Sequence, residues 1–362
     1  MTDSCSVLMV PDNRQANPYQ ILLKQSLERQ GIKIYFSKGY RRGLPLFREV
    51  AFTHQRYDLI HLHWILPYLK GKNRIVRGFY AIKFLLDIAL VKFFGVKVIW
   101  TIHNRVNHES VFPEIDQWVR QNVASLADQI ILHNQATLES IAQEYRFSPQ
   151  KAYVILHGHY RDVYKPPIDP FLARKELGLP LDGQIFLNLG LLRPYKGIEA
   201  LLDVWIKHQE MFTGHTLLIV GKASESYVAT LRLKTSNSGA KGIILIPEFV
   251  EDDRIHLFFS AASVVVLPYQ NILNSGSLIL AMSYGLPIIA PRLGSIPEYL
   301  GSADELLYEP DDDLGLLHSI KTSFKIDHYQ LARSVTEACD RLDWIRIGEK
   351  TKYAYEEVMQ NK

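Results

Sequence analysis

Apolar positions in the first half of the chain fall into two rhythms. "SVLMV" (6–10), "KIYF" (33–36), "DLIHLHW" (58–64), "KVIWTIH" (97–103) and "QIILHN" (129–134) are short, nearly continuous apolar runs. That is the pattern of strands buried on both faces. Between them the spacing changes. "NPYQILLKQSLERQG" (17–31) repeats with a helical period and stops at Gly31, and "FYAIKFLLDIALVKFFG" (79–95) is also of helix length. Strands alternating with helices predict βαβ units around a parallel sheet. Pro and Gly then cluster in "KPPIDP" (165–170) and "GLPLDG" (178–183), which predicts a domain boundary. A second series follows: "QIFLNLG", "TLLIVG", "GIILIP", "SVVVLP" and "PIIAP", each run ending in Gly or Pro. The expectation is α/β with two Rossmann-like, doubly wound parallel-sheet domains facing a cleft, residues 1–165 and 166–344. Ligands of such sheets bind beyond the carboxyl ends of the strands.

One apolar stretch, residues 79–100, has the length of a membrane span but contains Lys83, Asp87, Lys92 and Lys97. Charges at those depths argue against spanning. Two readings stay open: a core helix followed by a strand, or a surface that attaches to anionic lipid through Arg41, Arg42, Lys70, Lys72, Arg74, Arg77 and Lys83.

Charge sharpens that second reading. The 362 residues carry a net +3, but residues 1–165 hold 22 Lys/Arg against 13 Asp/Glu, while the remainder holds 19 against 25. A basic half attracts phosphates or an anionic membrane surface, or is merely a solvated basic face. No recognisable RNA- or DNA-binding motif accompanies it, so nucleic acid is not expected as a partner. The two cysteines, Cys5 and Cys339, lie at opposite ends and read as reduced thiols. With no basic-then-apolar leader at the N-terminus, the expected location is cytoplasmic, with a peripheral position on the inner membrane face as an option.

The candidate chemistry of the second domain sits in two places. In "GLLRPYKG" (190–197), Gly190 ends a strand and permits close backbone approach. Arg193 offers a fork for two phosphate oxygens, Lys196 adds a point charge, and Gly197 opens a helix. A diphosphate fits this set better than a single carboxylate; a turn with two solvated cations is the alternative. Farther on, Asn274-Ser275-Gly276-Ser277 precedes an apolar helix and reads as a second N-terminus with backbone donors to spare.

These stretches, "GLLRPYKG" and "LAMSYGLPIIAP" (280–291), resemble the nucleotide-sugar-binding motifs of the family 4 glycosyltransferases, which have the GT-B fold. The likeness covers most of residues 185–315. It implies that Arg193 and Lys196 hold a donor diphosphate with Ser275, Gly276 and Ser277. It also implies that the backbone near Phe249 and Val250 ("IPEFVEDDRI") meets the base; Gly190 at the strand end, and Asn271 and Asn274 as side chains able to hold the sugar in another way, are further donor-side candidates read from the residues themselves. The resemblance further implies a site histidine at His103 and a terminal helix, about 345–362, crossing back to the first domain. One departure stands out. Retaining members carry two glutamates eight residues apart, and here Ile272 and Leu280 occupy those positions. That brings the chain closer to inverting GT-B branches, in which a base of the first domain activates the acceptor.

Candidates for that base lie in "TIHNRVNHESVFPEID" (101–116): His103, His108 and Glu109. A metal is not expected there, because the spacing lacks the helical H-E-x-x-H pattern. On the acceptor side, "VPDNRQANPYQ" offers Asn17, Tyr19 and Gln20, and "HLHW" offers His63, with His61 on the same face by alternation. His157 and His159 are weaker candidates. Asp311, Asp312 and Asp313 read as a helix N-cap rather than a metal site. The expected activity is transfer of a sugar from a UDP- or GDP-sugar to a hydroxyl, with no cofactor. The acceptor would be lipid-linked, an anionic glycan or a small molecule. A nucleotide-sugar epimerase or phosphorylase of the same fold, or a non-catalytic binding module, are the alternatives.

Overall fold

The computed structural model describes residues 5–15, 17–37, 43–105 and 110–360. Its contacts divide the chain into two units, Met1–Gly158 with Asp343–Lys362, and His159–Leu342. The division falls ahead of the Pro-rich stretch, because residues 159 and 160 are tied into the second unit. The His159 N–H donates to Leu342 O at 3.0 Å and the Tyr160 N–H to Ser283 Oγ at 2.9 Å.

In the first unit the strands are β1 (Ser6–Val10), β2 (Lys33–Phe36), β3 (Leu59–Leu62), β4 (Lys97–Ile102), β5 (Gln129–Leu132) and β6 (Ala152–Val154). They form one parallel sheet in the order β2-β1-β3-β4-β5-β6. The chain leaves β1 on one side and returns on the other, so the switch point lies between β1 and β3. β1 and β3 are buried at every position, as the continuous apolar runs predict. β6 is too short for a hydrophobic run to announce it. Helix Trp344–Gln360 belongs to this unit: Trp344, Ile347, Ala354, Tyr355 and Val358 share a core with Leu23 and Leu27 of helix Tyr19–Arg29. The two helices meet closely at Gly348. A Cβ there would collide with Ser26, whose hydroxyl donates to Trp344 O.

The second unit contains β7 (Ile185–Leu189), β8 (Thr216–Val220), β9 (Ile243–Ile246), β10 (Val264–Val266), β11 (Ile288–Pro291) and β12 (Leu307–Tyr308). All are parallel, in the order β12-β11-β10-β7-β8-β9. Here the switch point lies between β7 and β10. Of the acidic triplet, Asp312 Oδ1 accepts the Leu314 N–H at 2.9 Å, one residue short of helix Gly315–Ser323, whose N-cap is Leu314. The triplet therefore shapes the entering turn rather than capping the helix with a side chain.

Candidate functional site

At the second unit's switch point, β7 runs into Gly190, whose φ of +142° suits only glycine. A Cβ placed there would lie 2.8 Å from Ser277 Oγ and 3.1 Å from Lys196 Nζ. Gly190, Lys196 and Ser277, far apart in sequence, thus surround one point at the carboxyl ends of β7 and β10. Gly197 (φ +71°) turns the chain into helix Ile198–Lys207, and a side chain there would strike Pro268 O. On the β10 side, Ser275 caps helix Gly276–Ser283 by accepting the Leu278 N–H at 3.0 Å, and the Tyr269 hydroxyl lies 2.7 Å from Ser275 Oγ.

Neither Arg193 nor Lys196 has an acidic partner among the described residues. Burial, with the Arg193 charge adding to it, lowers the Lys196 pKa from 10.5 to about 8. Two uncompensated cations beside a helix N-terminus form a setting that a phosphate chain would relax. Phe249, 60% exposed, and Val250 lie beyond β9 on the same rim. Asn271 is exposed and Asn274 half-buried in the loop after β10. Leu280 is buried in the apolar helix, so no carboxylate enters from the position where retaining relatives place one.

The first unit carries a row of imidazoles. β3, β4, β5 and β6 each run into a histidine at or just beyond their carboxyl ends: His63, His103, His133 and His157. All four are buried. His133 Nδ1 lies 2.9 Å from Ile155 O, and its Nε2 lies 3.1 Å from His103 Nδ1. His103 Nε2 lies 3.2 Å from His63 Nδ1. His63 Nε2 is closed off from solvent and has no hydrogen-bond partner among the described residues. Tyr19 stands across the row, its ring centroid 4.6–5.7 Å from all four imidazoles. Trp64 stacks on His103 at 4.5 Å. Burial first, then the neighbouring imidazoles, lowers His63 and His103 well below the usual histidine value; burial takes His133 down to about 4. The rings are therefore neutral at working pH. His61, on the same face, is held by Tyr355 Oη at 2.6 Å and Thr101 Oγ1 at 2.7 Å.

Gln20 and Asn17 turn out to be occupied. Gln20 donates to Pro11 O at 2.9 Å and accepts from the Asn13 N–H at 2.8 Å, while Asn17 Oδ1 accepts from the Tyr19 N–H at 2.9 Å. Both shape the loop after β1. His108 and Glu109 lie outside the described residues. Sequence reasoning passed over His133, although its signal was present: successive apolar strands each running into a histidine.

Helix Arg74–Phe93 buries Ala81, Phe84, Asp87, Ile88 and Val91 and leaves its opposite face bare. Ile75, Phe79, Ile82, Leu86 and Phe93 are 85%, 64%, 62%, 50% and 84% exposed. Their spacing of four, three, four and seven residues aligns them on one stripe. Lys72 is exposed beside the helix start, and Lys83 reaches over the Tyr80 ring. Arg77, expected at such a surface, instead turns inward to the buried Asp116, whose carboxylate it grips through Nε and Nη2. Arg41 and Arg42 lie outside the described residues. Among those described, no helix is long and apolar enough to cross a membrane.

Comparison with known proteins bears on the family and the fold. Residues 183–324 match the family described as "Glycosyl transferases group 1". A GDP-mannose:glycolipid 4-beta-D-mannosyltransferase of Xanthomonas campestris pv. campestris is 30% identical over 96% of this chain and 90% of its own length. Among solved structures, Anabaena HepE in complex with UDP superposes with a TM-score of 0.74 at 17% identity, covering 98% of this chain and all of that one. Sucrose-phosphate synthase from Thermosynechococcus elongatus gives 0.75 at 17% identity, over 99% of this chain and all of its own.

Proposed function

The chain belongs to the group 1 glycosyl transferases and has the GT-B fold, and from that premise we propose that it moves mannose from GDP-mannose to a hydroxyl of a glycolipid at an anionic membrane surface. That it is a hexosyltransferase follows from the family. The choice of donor and acceptor rests on one observation: the likeness to the Xanthomonas enzyme extends through both units, over 90% of that enzyme's length.

In this reading the donor diphosphate lies against Arg193, Lys196 and the N-terminus of helix Gly276–Ser283. As the bond from the anomeric carbon to the diphosphate breaks, negative charge grows on the leaving group. Preset cations and amides stabilise it there without reorganising. The backbone at Phe249 and Val250 meets the base, and Asn271 and Asn274 lie toward the sugar. With Ile272 and Leu280 at the positions of the two glutamates, the transfer proceeds by a single displacement with inversion. The exposed stripe of helix Arg74–Phe93, flanked by lysines, supports delivery of the acceptor from a lipid surface.

The test is a panel of GDP-, UDP- and ADP-sugars with a glycolipid acceptor, the product's anomeric coupling being read by NMR. GDP release and a β-linked product are expected. Arg193→Ala and Lys196→Ala are expected to fold normally, and each to weaken GDP binding in calorimetry at least tenfold. Wild-type turnover in either variant would remove the diphosphate from this place.

A further inference from the structure

Deepening the reading just given, and resting on its placement of a donor diphosphate against Lys196 and helix Gly276–Ser283, we propose that Tyr269 is a positioning residue for that diphosphate. Its hydroxyl turns the Ser277 O–H outward, as a donor to a phosphate oxygen. Every group concerned belongs to the second unit. Tyr269 lies in the loop that follows β10, and both of its chain neighbours pack on the turn that carries Lys196. The Gln270 N–H donates to Tyr195 O at 2.9 Å, and a Cβ on Gly197 would strike Pro268 O. The phenol is buried, and its hydroxyl is hydrogen-bonded to Ser275 Oγ at 2.7 Å and to the Ser277 hydroxyl. Ser277, Gly190 and Lys196 are only half-buried. Chain neighbours aside, a Cβ on Gly190 would meet just two heavy atoms of the described residues within 4 Å, Ser277 Oγ and Lys196 Nζ. The hydroxyl and the ammonium thus border room that the glycine leaves open.

The direction of the hydrogen bonds follows from what each partner can do. The Leu278 N–H can only donate, and it donates to Ser275 Oγ at 3.0 Å. Tyr269 has one hydroxyl proton and two serine partners, so it donates to one and accepts from the other. If it donated to Ser275, the Ser277 proton would point inward, and only a lone pair would face the room at Gly190. A diphosphate oxygen that carries no proton can only accept. A bound diphosphate therefore selects the opposite sense: Leu278 N–H to Ser275, Ser275 to Tyr269, Tyr269 to Ser277, and Ser277 to phosphate.

Each donor in that sequence is polarised by the one behind it, which strengthens the last bond. Tyr269 and Ser275 are 4% and 3% exposed, so water does not compete for the link between them. Burial also pushes the phenol pKa up to about 12, which keeps the proton on Tyr269 throughout the working range. A phenylalanine would fill the same ring volume but leave Ser277 free to turn its proton away. As charge grows on the departing diphosphate, the Ser277 hydrogen bond gains strength together with the Lys196 contact. The phenol thereby aids the transfer without touching the donor.

A double-mutant cycle on the full chain tests this. It is read by calorimetric titration with GDP, UDP and ADP, each beside its own nucleoside as a control lacking the diphosphate. Tyr269→Phe is expected to weaken nucleoside diphosphate binding roughly three- to tenfold, the worth of one hydrogen bond, and to leave nucleoside binding unchanged. Ser277→Ala should weaken it by at least as much. Adding Tyr269→Phe to Ser277→Ala should then cost nothing further, because the phenol acts only through that serine. A purely structural role for Tyr269 predicts otherwise: an equal loss in both backgrounds, shared by the nucleoside. Unchanged diphosphate affinity in Tyr269→Phe, or that equal loss, overturns the proposal. Failure of the diphosphate reading shows separately, in the wild type, as no binding of GDP, UDP or ADP, and it overturns this proposal as well.

Discussion

Lys196 is the residue at which the electrostatics are most exposed to experiment. Its side chain is half-buried with the Arg193 charge nearby, and both facts favour the neutral amine, which brings the pKa to about 8. An arriving diphosphate favours the ammonium again. Below about 8 the free protein already carries the charge, and nucleotide affinity is flat. Above 8 binding must also bind a proton, so affinity falls by up to tenfold per pH unit until the higher pKa of the complex is reached. Calorimetric titration of GDP from pH 6.5 to 9.5 should show that decline, and Lys196→Arg should remove it. The neighbourhood of Lys196 was legible in the sequence because its parts are local. A glycine, two cations and a helix start fall within eight residues. The contacts among His63, His103 and His133 were not legible, because they join three strand ends 30 and 40 residues apart and depend on parallel register.

Among the elements, helix Arg74–Phe93 departs furthest from a simple reading. Its composition says buried and its length says helix, yet half its apolar residues face outward. Sequence alone did not apportion the two faces, since apolar residues occupy both. What anchors the inner face is Asp87, which accepts the N–H groups of Leu46 at 3.0 Å and Phe47 at 2.8 Å, together with the Arg77–Asp116 pair. The outer stripe is free to change without disturbing either. Phe79→Ser and Phe93→Ser are therefore expected to leave the melting temperature unchanged. Each should lower partition onto phosphatidylglycerol vesicles roughly tenfold, the worth of a partly buried aromatic ring. Equal sedimentation of variants and wild type with those vesicles would exclude the stripe as a lipid contact.

Over the whole molecule the two units apply one architecture to different chemistry: cations and amide ends at one switch point, neutral imidazoles at the other. The alternation of apolar runs made both sheets readable, apart from the very short β6 and β12. The first unit is completed from the far end of the chain. Trp344 fills a space that would also hold a Cβ on Gly158, and Tyr355 reaches His61. Trp344→Ala is expected to cost about 3–5 kcal/mol, measured as a lowered calorimetric unfolding temperature. An unshifted transition would mean that the indole contributes nothing to that core.

This arrangement bears on how the protein is made. A ribosome delivers the N-terminal sheet first, yet helix Tyr19–Arg29 keeps an uncovered flank until residues 344–358 emerge, more than 300 positions later. The nascent first unit thus keeps a greasy seam open to chaperones while the whole second unit is made, and it closes only once helix Trp344–Gln360 has emerged.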